Sequence, residues 1–483
     1  MADLINKATH WAIANGLVVV PPSVDSCDFQ GKTPYLVTPA PFALYPTPFP
    51  RTQYDLAVNI QPLFNKLVHN IANNLEFLEE KAKKLSQVDP FTNNLYQIFL
   101  EIKKEENSQK YTLGFHRSDY LLHAPSDKMV KIQQVELNTI SSSFGGLSGL
   151  TSELHRYIYK STDGYYDRFS KKLNIDEVLP LNTPTSGLVK GISEAFKLYN
   201  NPEAIVLMIV QPNEHNIYDQ KVIEHQLLIL HKIQVIRKTL TEIGNEAVLS
   251  QDKQRRLYIL AGSEPKEVAV AYFRSGYSPD DYISQLEWDA RLSIERSHAI
   301  KCPDILYHLA GTKKVQQELA DIELLKLFLS NDEAELVHST FTGIYPLDSS
   351  EIGQASYREA LSNPTKYVMK PSREGGGNNI YGEDIPLALS KLSEEERAAF
   401  ILMDRIVPPT VFNNNVGIRQ GVPSLNGNFI SELGTYGVYL GLRGCDEPIL
   451  NEYSGYLLRS KLDSTNEGGV AVGHAVIDSV YLV

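Results

Sequence analysis

Between residues 54 and 85, Ile60, Leu63, Phe64, Leu67, Ile71, Leu75 and Leu78 recur at steps of three and four, the period of a helix with one buried face. Weaker stretches of the same kind cover 91–105 and 148–159, and these predicted helices carry packing rather than chemistry. The rhythm changes near residue 202. Positions 204–210 read AIVLMIV without a polar interruption, as a strand covered on both faces does. A helical stretch over 219–232 follows, then strand-like runs at 233–236, 257–260 and 268–273. Strand, helix and strand within about 35 residues predict a parallel βαβ unit forming a small inserted domain. Further on, a helix is expected over 313–329 and strands over 367–370, 401–406, 429–433 and 437–440. The fold class is therefore mixed α/β, without internal repeats or low-complexity tracts.

Four polar segments interrupt this pattern where chemistry can sit. In 134–146, QVELNTISSSFGG, the two-residue period of a strand puts Glu136 and Asn138 on one face. A carboxylate and an amide oxygen suit a hard cation such as Mg²⁺. Ser141 and Ser143 repeat the step and offer hydroxyls to a substrate; a strand edge with solvated polar residues is the plainer alternative. The run KPSREGGGNN after Met369 places Lys370, Arg373 and Glu374 beside Gly375, Gly376 and Gly377. Consecutive glycines leave backbone N–H groups free to wrap phosphates, although a glycine-rich surface turn reads similarly. Beyond the ends of the middle strands, Glu214, Asn216 and Gln220 could hold an ammonium, and Arg274, near Tyr277, a carboxylate, in the place where open parallel sheets bind ligands. The fourth segment runs from Arg459 and Lys461 through Glu467 to Val470 and Ala471, where glycines allow close approach to a small ligand.

Composition removes several alternatives. Of 483 residues, 46 are Lys or Arg and 58 Asp or Glu, a net charge of −12 without a basic run, which argues against nucleic acid and anionic membranes as partners. Cys27, Cys302 and Cys445 are too few and too scattered for a disulfide framework or a zinc ribbon, and none of the 12 histidines falls in an HExxH. The apolar run at 17–20 stops at Pro21-Pro22, too short for a signal peptide or a membrane span, so the cytoplasm is the expected compartment. No GxxxxGK[ST], GxGxxG or GxSxG occurs. His116, Arg117, Ser118 and Asp119 contain the residue types of a hydrolase triad, but as sequence neighbours they cannot form one.

Taken in order, VELNTISSSFGGL (135–147), LAGTKKVQQEL (309–319), KPSREGGGNNIYG (370–382), ISELGTYGVYL (430–440) and the terminal LLRSK and EGGVAVGHAV resemble the eukaryotic glutathione synthetases over essentially the whole chain. The resemblance implies an ATP-grasp fold. Residues 1–201 and 305–483 would form its catalytic parts, 202–304 a substrate-binding domain and about 345–410 a lid. It implies an ATP-dependent ligase joining glycine to γ-glutamylcysteine through an acyl phosphate, with two Mg²⁺ ions bound by Glu136, Asn138 and Glu374. ATP would be held by Glu136, Lys313, Lys370, Arg373, Glu374, Gly375, Gly376, Gly377, Asn378, Asn379, Tyr381, Met403, Asp404, Arg405, Ile406, Glu432, Lys461 and Glu467. Arg117, Ile140, Ser141, Ser142, Ser143, Glu214, Asn216, Gln220, Arg274, Tyr277, Arg459, Val470 and Ala471 would surround the other substrates. Arg117, Glu136, Glu374 and Arg459 would be the catalytic group. The family pattern is a homodimer. This chain departs from it at Asp404-Arg405, where Glu-Lys is expected, at Glu467, where Asp is expected, and at Ala471-Val472, where two alanines are expected. A non-catalytic ATP-binding scaffold and a ligase with another acceptor are the competing functions.

Overall fold

The apolar stripe predicted over 54–85 forms two helices, Arg51–Asn73 and Leu75–Ser86. Asn74 separates them: its side-chain oxygen accepts the Phe77 amide at 3.1 Å and so caps a new helix start. Ile60, Phe64, Leu67, Ile71 and Leu78 all enter one core, whereas Leu75, at the break, stays exposed. The following helix, Pro90–Lys104, starts in the same way, with the Asp89 carboxylate accepting the Thr92 amide at 2.9 Å. The computed structural model describes residues 1–21, 36–105, 109–125, 129–162, 174–372, 378–409, 415–466, 468–470 and 473–483. Arg373, Glu374, Gly375, Gly376, Gly377, Glu467, Ala471 and Cys27 lie outside them.

The middle segment contains the expected parallel unit. Strand Ile205–Ile209 lies between Val235–Lys238 and Glu264–Phe273, parallel to both, with helix Ile217–His231 as the crossover. Leu257–Ala261 and Val248–Leu249 extend this sheet antiparallel, and Ile300–Cys302 pairs parallel with Glu264–Phe273. The uninterrupted apolar run has a clear cause. Ile205, Leu207 and Ile209 point into one large core and Val206 and Met208 into the other, so both faces of the strand are covered. Each core also takes in side chains from the rest of the chain.

A larger sheet of eight strands forms the body. Its order is Val422–Gly427, Asn415–Arg419, Phe42–Ala43, Ala475–Asp478, Leu450–Leu462, Phe429–Leu442, Tyr111–His123 and Lys131–Asn138. The short strands expected over 429–433 and 437–440 are one strand, Phe429–Leu442, whose pairing shifts between Thr435 and Gly437. A third sheet, of four antiparallel strands, has the order Ile344–Pro346, Phe400–Asp404, Tyr367–Pro371 and Ile380–Tyr381. The single helix expected over 313–329 is broken into Lys313–Glu318 and Ile322–Leu325, because Asp321 turns its carboxylate to the Glu323 amide at 2.9 Å and restarts the helix.

Helix Arg51–Asn73 crosses the long strands through a polar seam. Gln61 accepts from the Thr435 hydroxyl at 2.7 Å and donates to Asn65 at 3.0 Å, and Asn65 donates to Asn451 at 2.9 Å. The seam fits closely over Gly437, where an added Cβ would meet Asn65 Oδ1 at 2.2 Å. Gly437→Ala therefore has to displace a buried, fully engaged amide, and is expected to destabilise the protein by about 1–3 kcal/mol. The midpoint of urea unfolding measures this.

Candidate active site

The pocket lies between the edge of the large sheet and the four-stranded sheet. From the large sheet come Glu136 on Lys131–Asn138, Glu432 on Phe429–Leu442, and Arg459 and Lys461 on Leu450–Leu462. From the four-stranded sheet come Lys370, Tyr381, Met403 and Asp404, continued by Arg405 and Ile406. Lys313, the first residue of its short helix, closes one end. Asn379 lines the pocket and donates to the Tyr381 hydroxyl at 3.3 Å, while Asn378 precedes it without lining the wall. A pocket between two sheets is the arrangement that an ATP-grasp fold implies.

Strand alternation brings the charged residues together. Arg117 pairs in register with Asn138, Asp119 with Glu136, and Glu432 with Arg459. Glu136 and Asn138 do share a face, the Asn138 amide donating to Glu136 at 3.3 Å. Beneath them the buried Asp119 carboxylate accepts Arg117 Nε at 2.7 Å and Arg117 Nη2 at 2.9 Å, Arg459 Nη2 at 3.1 Å and Asn138 Nδ2 at 3.0 Å. Arg459 also pairs with Glu432. The Arg117 guanidinium lies 6.0 Å from the centre of the Tyr436 ring, and the Tyr436 hydroxyl donates to the Ser143 carbonyl at 2.5 Å.

Lys313 stands 3.2 Å from Glu136, and the Lys370 ammonium donates to the Val135 carbonyl at 2.9 Å. Burial raises the affinity of Glu136 for a proton. The charges of Lys313, Lys370, Arg459 and Arg117 outweigh it and hold the group well below the usual carboxylate range. Burial lowers Lys370 to about 8, with Glu136 opposing and Lys313 adding to the fall. Glu136 and Asn138 thus present an ionised carboxylate and an amide side by side, an oxygen set that fits a hard cation keeping some of its waters. Among the described residues no cluster of three or more His, Cys, Asp or Glu could hold a metal without other ligands.

Five of the expected substrate residues, Glu214, Asn216, Gln220, Arg274 and Tyr277, form a second group beyond the strand ends of the middle sheet. Gln220 donates to Glu214 at 2.9 Å, and the other Glu214 oxygen accepts the Asn216 amide at 2.7 Å. Arg274 is held by Asp219 at 3.0 Å, and the Tyr277 hydroxyl accepts from Gln211 at 3.2 Å. Ser141 and Ser143 are not strand residues. The strand ends at Asn138, Ser141 takes a left-handed φ of 53° and donates to the Phe273 carbonyl at 3.2 Å, and Phe144 takes a φ of 70°. The Ser142 hydroxyl is buried and has no hydrogen-bond partner among the described residues. Ile140 buries its side chain in the larger core. Glu214, Asn216 and Val470 line a separate, more apolar pocket with Phe144 and Arg419.

Sequence reasoning overlooked two acids. Asp119 lies two residues from Arg117, so alternation along one strand could have found it. Asp219 carried no such signal: besides Arg274 it accepts the Phe144 and Gly146 amides at 2.9 and 2.7 Å, and so ties the serine loop to the helix Ile217–His231 across more than seventy positions of sequence.

The comparisons agree over the full length. The family model for the eukaryotic glutathione synthase, ATP binding domain, matches residues 1–482. The chain belongs to this family. It is 40% identical to the human glutathione synthetase, over 100% of this chain and 97% of that one. It is 42% identical to the chloroplastic glutathione synthetase of Arabidopsis thaliana, over 99% of this chain and 85% of that one. A solved structure of a glutathione synthetase-like effector of Globodera pallida, in its apo form, has a TM-score of 0.77 and 24% identity, over 100% of this chain and 96% of that one, a likeness of fold. As a glutathione synthase, the chain is an ATP-using ligase.

Two outcomes follow from the charge layout. Asp119→Asn leaves the buried Arg117 guanidinium without its carboxylate, while Arg459 keeps Glu432, and is expected to cost about 3–5 kcal/mol, read from equilibrium unfolding. Lys370 lines the pocket as an ammonium, a form the free enzyme loses as pH rises through about 8. The Kd for ATP should therefore be flat below pH 7.5 and climb above 8, towards tenfold per pH unit, and Lys370→Arg should remove the climb. Calorimetric titration of ATP between pH 7 and 9.5 checks both.

Proposed function

We propose that this chain joins glycine to the cysteinyl carboxylate of γ-glutamylcysteine, using ATP, in the second step of glutathione biosynthesis. The observation that carries the reading is the pocket between two sheets, where Lys313 and Lys370 face Glu136, with Asn138 beside it and the Arg117–Asp119–Arg459 cluster next to them. A carboxylate is a poor electrophile and does not react with an amine near neutrality. Phosphorylation of the cysteinyl carboxylate by ATP gives an acyl phosphate; the glycine amine adds to its carbonyl, phosphate leaves, and the amine loses its proton. No enzyme nucleophile takes part, so the work of the protein is positioning and charge neutralisation.

In this reading Lys313, Lys370, Tyr381, Asn379, Glu432 and Lys461 hold ATP, with Arg373, Asn378, Gly375, Gly376, Gly377 and Glu467, and Met403, Asp404, Arg405 and Ile406 flank the adenine. Arg117 and Arg459 steady the phosphoryl group in transfer. Mg²⁺, held by Glu136, Asn138 and Glu374, would neutralise the polyphosphate when bound. Glu214, Asn216, Gln220, Arg274 and Tyr277 hold the γ-glutamyl end, whose amino acid group matches their acid, amide and guanidinium chemistry. Ile140, Ser141, Ser142, Ser143, Val470 and Ala471 enclose the reacting carboxylate and glycine. Residues of about 345–410 serve as a lid that keeps water from the acyl phosphate. The molecule works as a cytoplasmic homodimer; the unpaired Cys302 and Cys445 suit a reducing compartment. Light scattering tests the dimer.

The deciding measurement is ADP release with Mg²⁺, ATP and γ-glutamylcysteine, with and without glycine. Glycine-dependent ADP, stopped by EDTA and matched mole for mole by tripeptide, is the expected result. ATP binding without turnover under any acceptor would overturn the ligase and leave a scaffold.

A further inference from the structure

Strand Lys131–Asn138 is the last strand of the large sheet, so one side of its backbone has no strand to pair with. At Leu137, between the two cation-facing residues, that side is nevertheless fully paired. The Gln316 side-chain oxygen accepts the Leu137 amide at 3.2 Å, and Gln316 Nε2 donates to the Leu137 carbonyl at 3.0 Å. The same Nε2 donates to the Gly311 carbonyl at 2.9 Å. One amide thus does for Leu137 what a neighbouring strand would do. Its orientation is fixed, because a flipped amide would set two donors against each other. Leu137 and Gln316 are both buried, so neither backbone group of Leu137 has water as a substitute.

Gln316 lies three residues after Lys313 in the helix Lys313–Glu318, so the two share a face. That face puts Lys313 against Glu136 and Gln316 against Leu137. Gln316 itself does not line the nucleotide pocket. On the other side of the helix, Lys314 donates to Gln317 at 2.6 Å and pairs with Asp348, near the start of the four-stranded sheet, at 3.4 Å.

We propose that Gln316 is a positioning residue of the cation site: by pairing both backbone groups of Leu137 it fixes the direction of Glu136 and Asn138 and keeps them in register with Lys313. This rests on the reading of Glu136 and Asn138 as cation ligands. Without the clamp, the strand end between two ligands is free to twist, and the ligand pair loses its alignment while the rest of the sheet stays in place.

Gln316→Met keeps the length of the side chain and removes all three hydrogen bonds; Gln316→Glu keeps an acceptor for the Leu137 amide and removes both donors. In Gln316→Met, hydrogen exchange at the Leu137 amide should speed at least about tenfold, and Mn²⁺ binding in the presence of ADP, followed by electron paramagnetic resonance, should weaken about tenfold or more. The Mg²⁺ concentration for half-maximal turnover should rise in step, with the KM for γ-glutamylcysteine unchanged and Gln316→Glu lying between the parent and Gln316→Met. A role in stability alone would lower the unfolding temperature and leave the Mn²⁺ affinity where it was; that result, in either variant, overturns the proposal. If Gln316→Met does not fold, Gln316→Glu decides. If the parent makes no tripeptide the ligase reading fails, while the Mn²⁺ titration still judges Gln316.

Discussion

The Asp119 carboxylate receives four hydrogen bonds from three side chains, those of Arg117, Arg459 and Asn138, on three different strands of the large sheet. Each of these groups would be costly to bury alone, and the guanidinium groups most of all. Because Asp119 satisfies them together, two cations can wait in a nearly dry site before any substrate arrives. The geometry depends on register. Asp119 stands opposite Glu136, and Arg117 opposite Asn138, so one carboxylate fixes the floor on which both the Glu136–Asn138 pair and the two arginines rest.

The same logic governs the charge of the whole pocket. In a chain of net charge −12, four cations gather at one place, Lys313, Lys370, Arg117 and Arg459, and each is matched by a carboxylate or a carbonyl of the protein itself. In the function proposed above, polyphosphate binding would be an exchange of partners: phosphate oxygens would take over the lysines, and Glu136, freed from Lys313, would be left to help hold a cation. Before any substrate binds, each of the four charges already has a protein partner, which is what burial at this depth demands. Lys370 is a soft point of the set, because burial brings its ammonium down to about 8 in spite of Glu136 nearby.

Much of this was legible in the chain. The apolar run over 204–210 identified a strand covered on both faces, and two-residue alternation placed Glu136 and Asn138 together, because both signals are local and periodic. Where side chains rather than periodicity set the structure, the reading failed. Asn74 and Asp321 each cut an apolar stripe by capping a new helix, and Ser141 leaves the strand through a left-handed turn that no alternation predicts. Asp219 and Gln316 were out of reach for a different reason. Their partners lie seventy-three and one hundred and seventy-nine positions away, at Gly146 and Leu137, and only the folded chain brings them close.

Those two long-range contacts divide the work between the substrates. Asp219 joins Arg274 to the turn after Ser143, on the side of the group assigned to γ-glutamylcysteine, and Gln316 joins the Lys313 helix to the strand of Glu136, on the nucleotide side. The segment 136–144 is common to both, with Glu136 and Asn138 at one end and its serine turn at the other. A carboxylate that must meet the γ-phosphate in line needs both ends held at once, since transfer rates fall steeply with small errors of placement. Fixing a short loop from two independent directions is a way to reach that precision without a rigid covalent link.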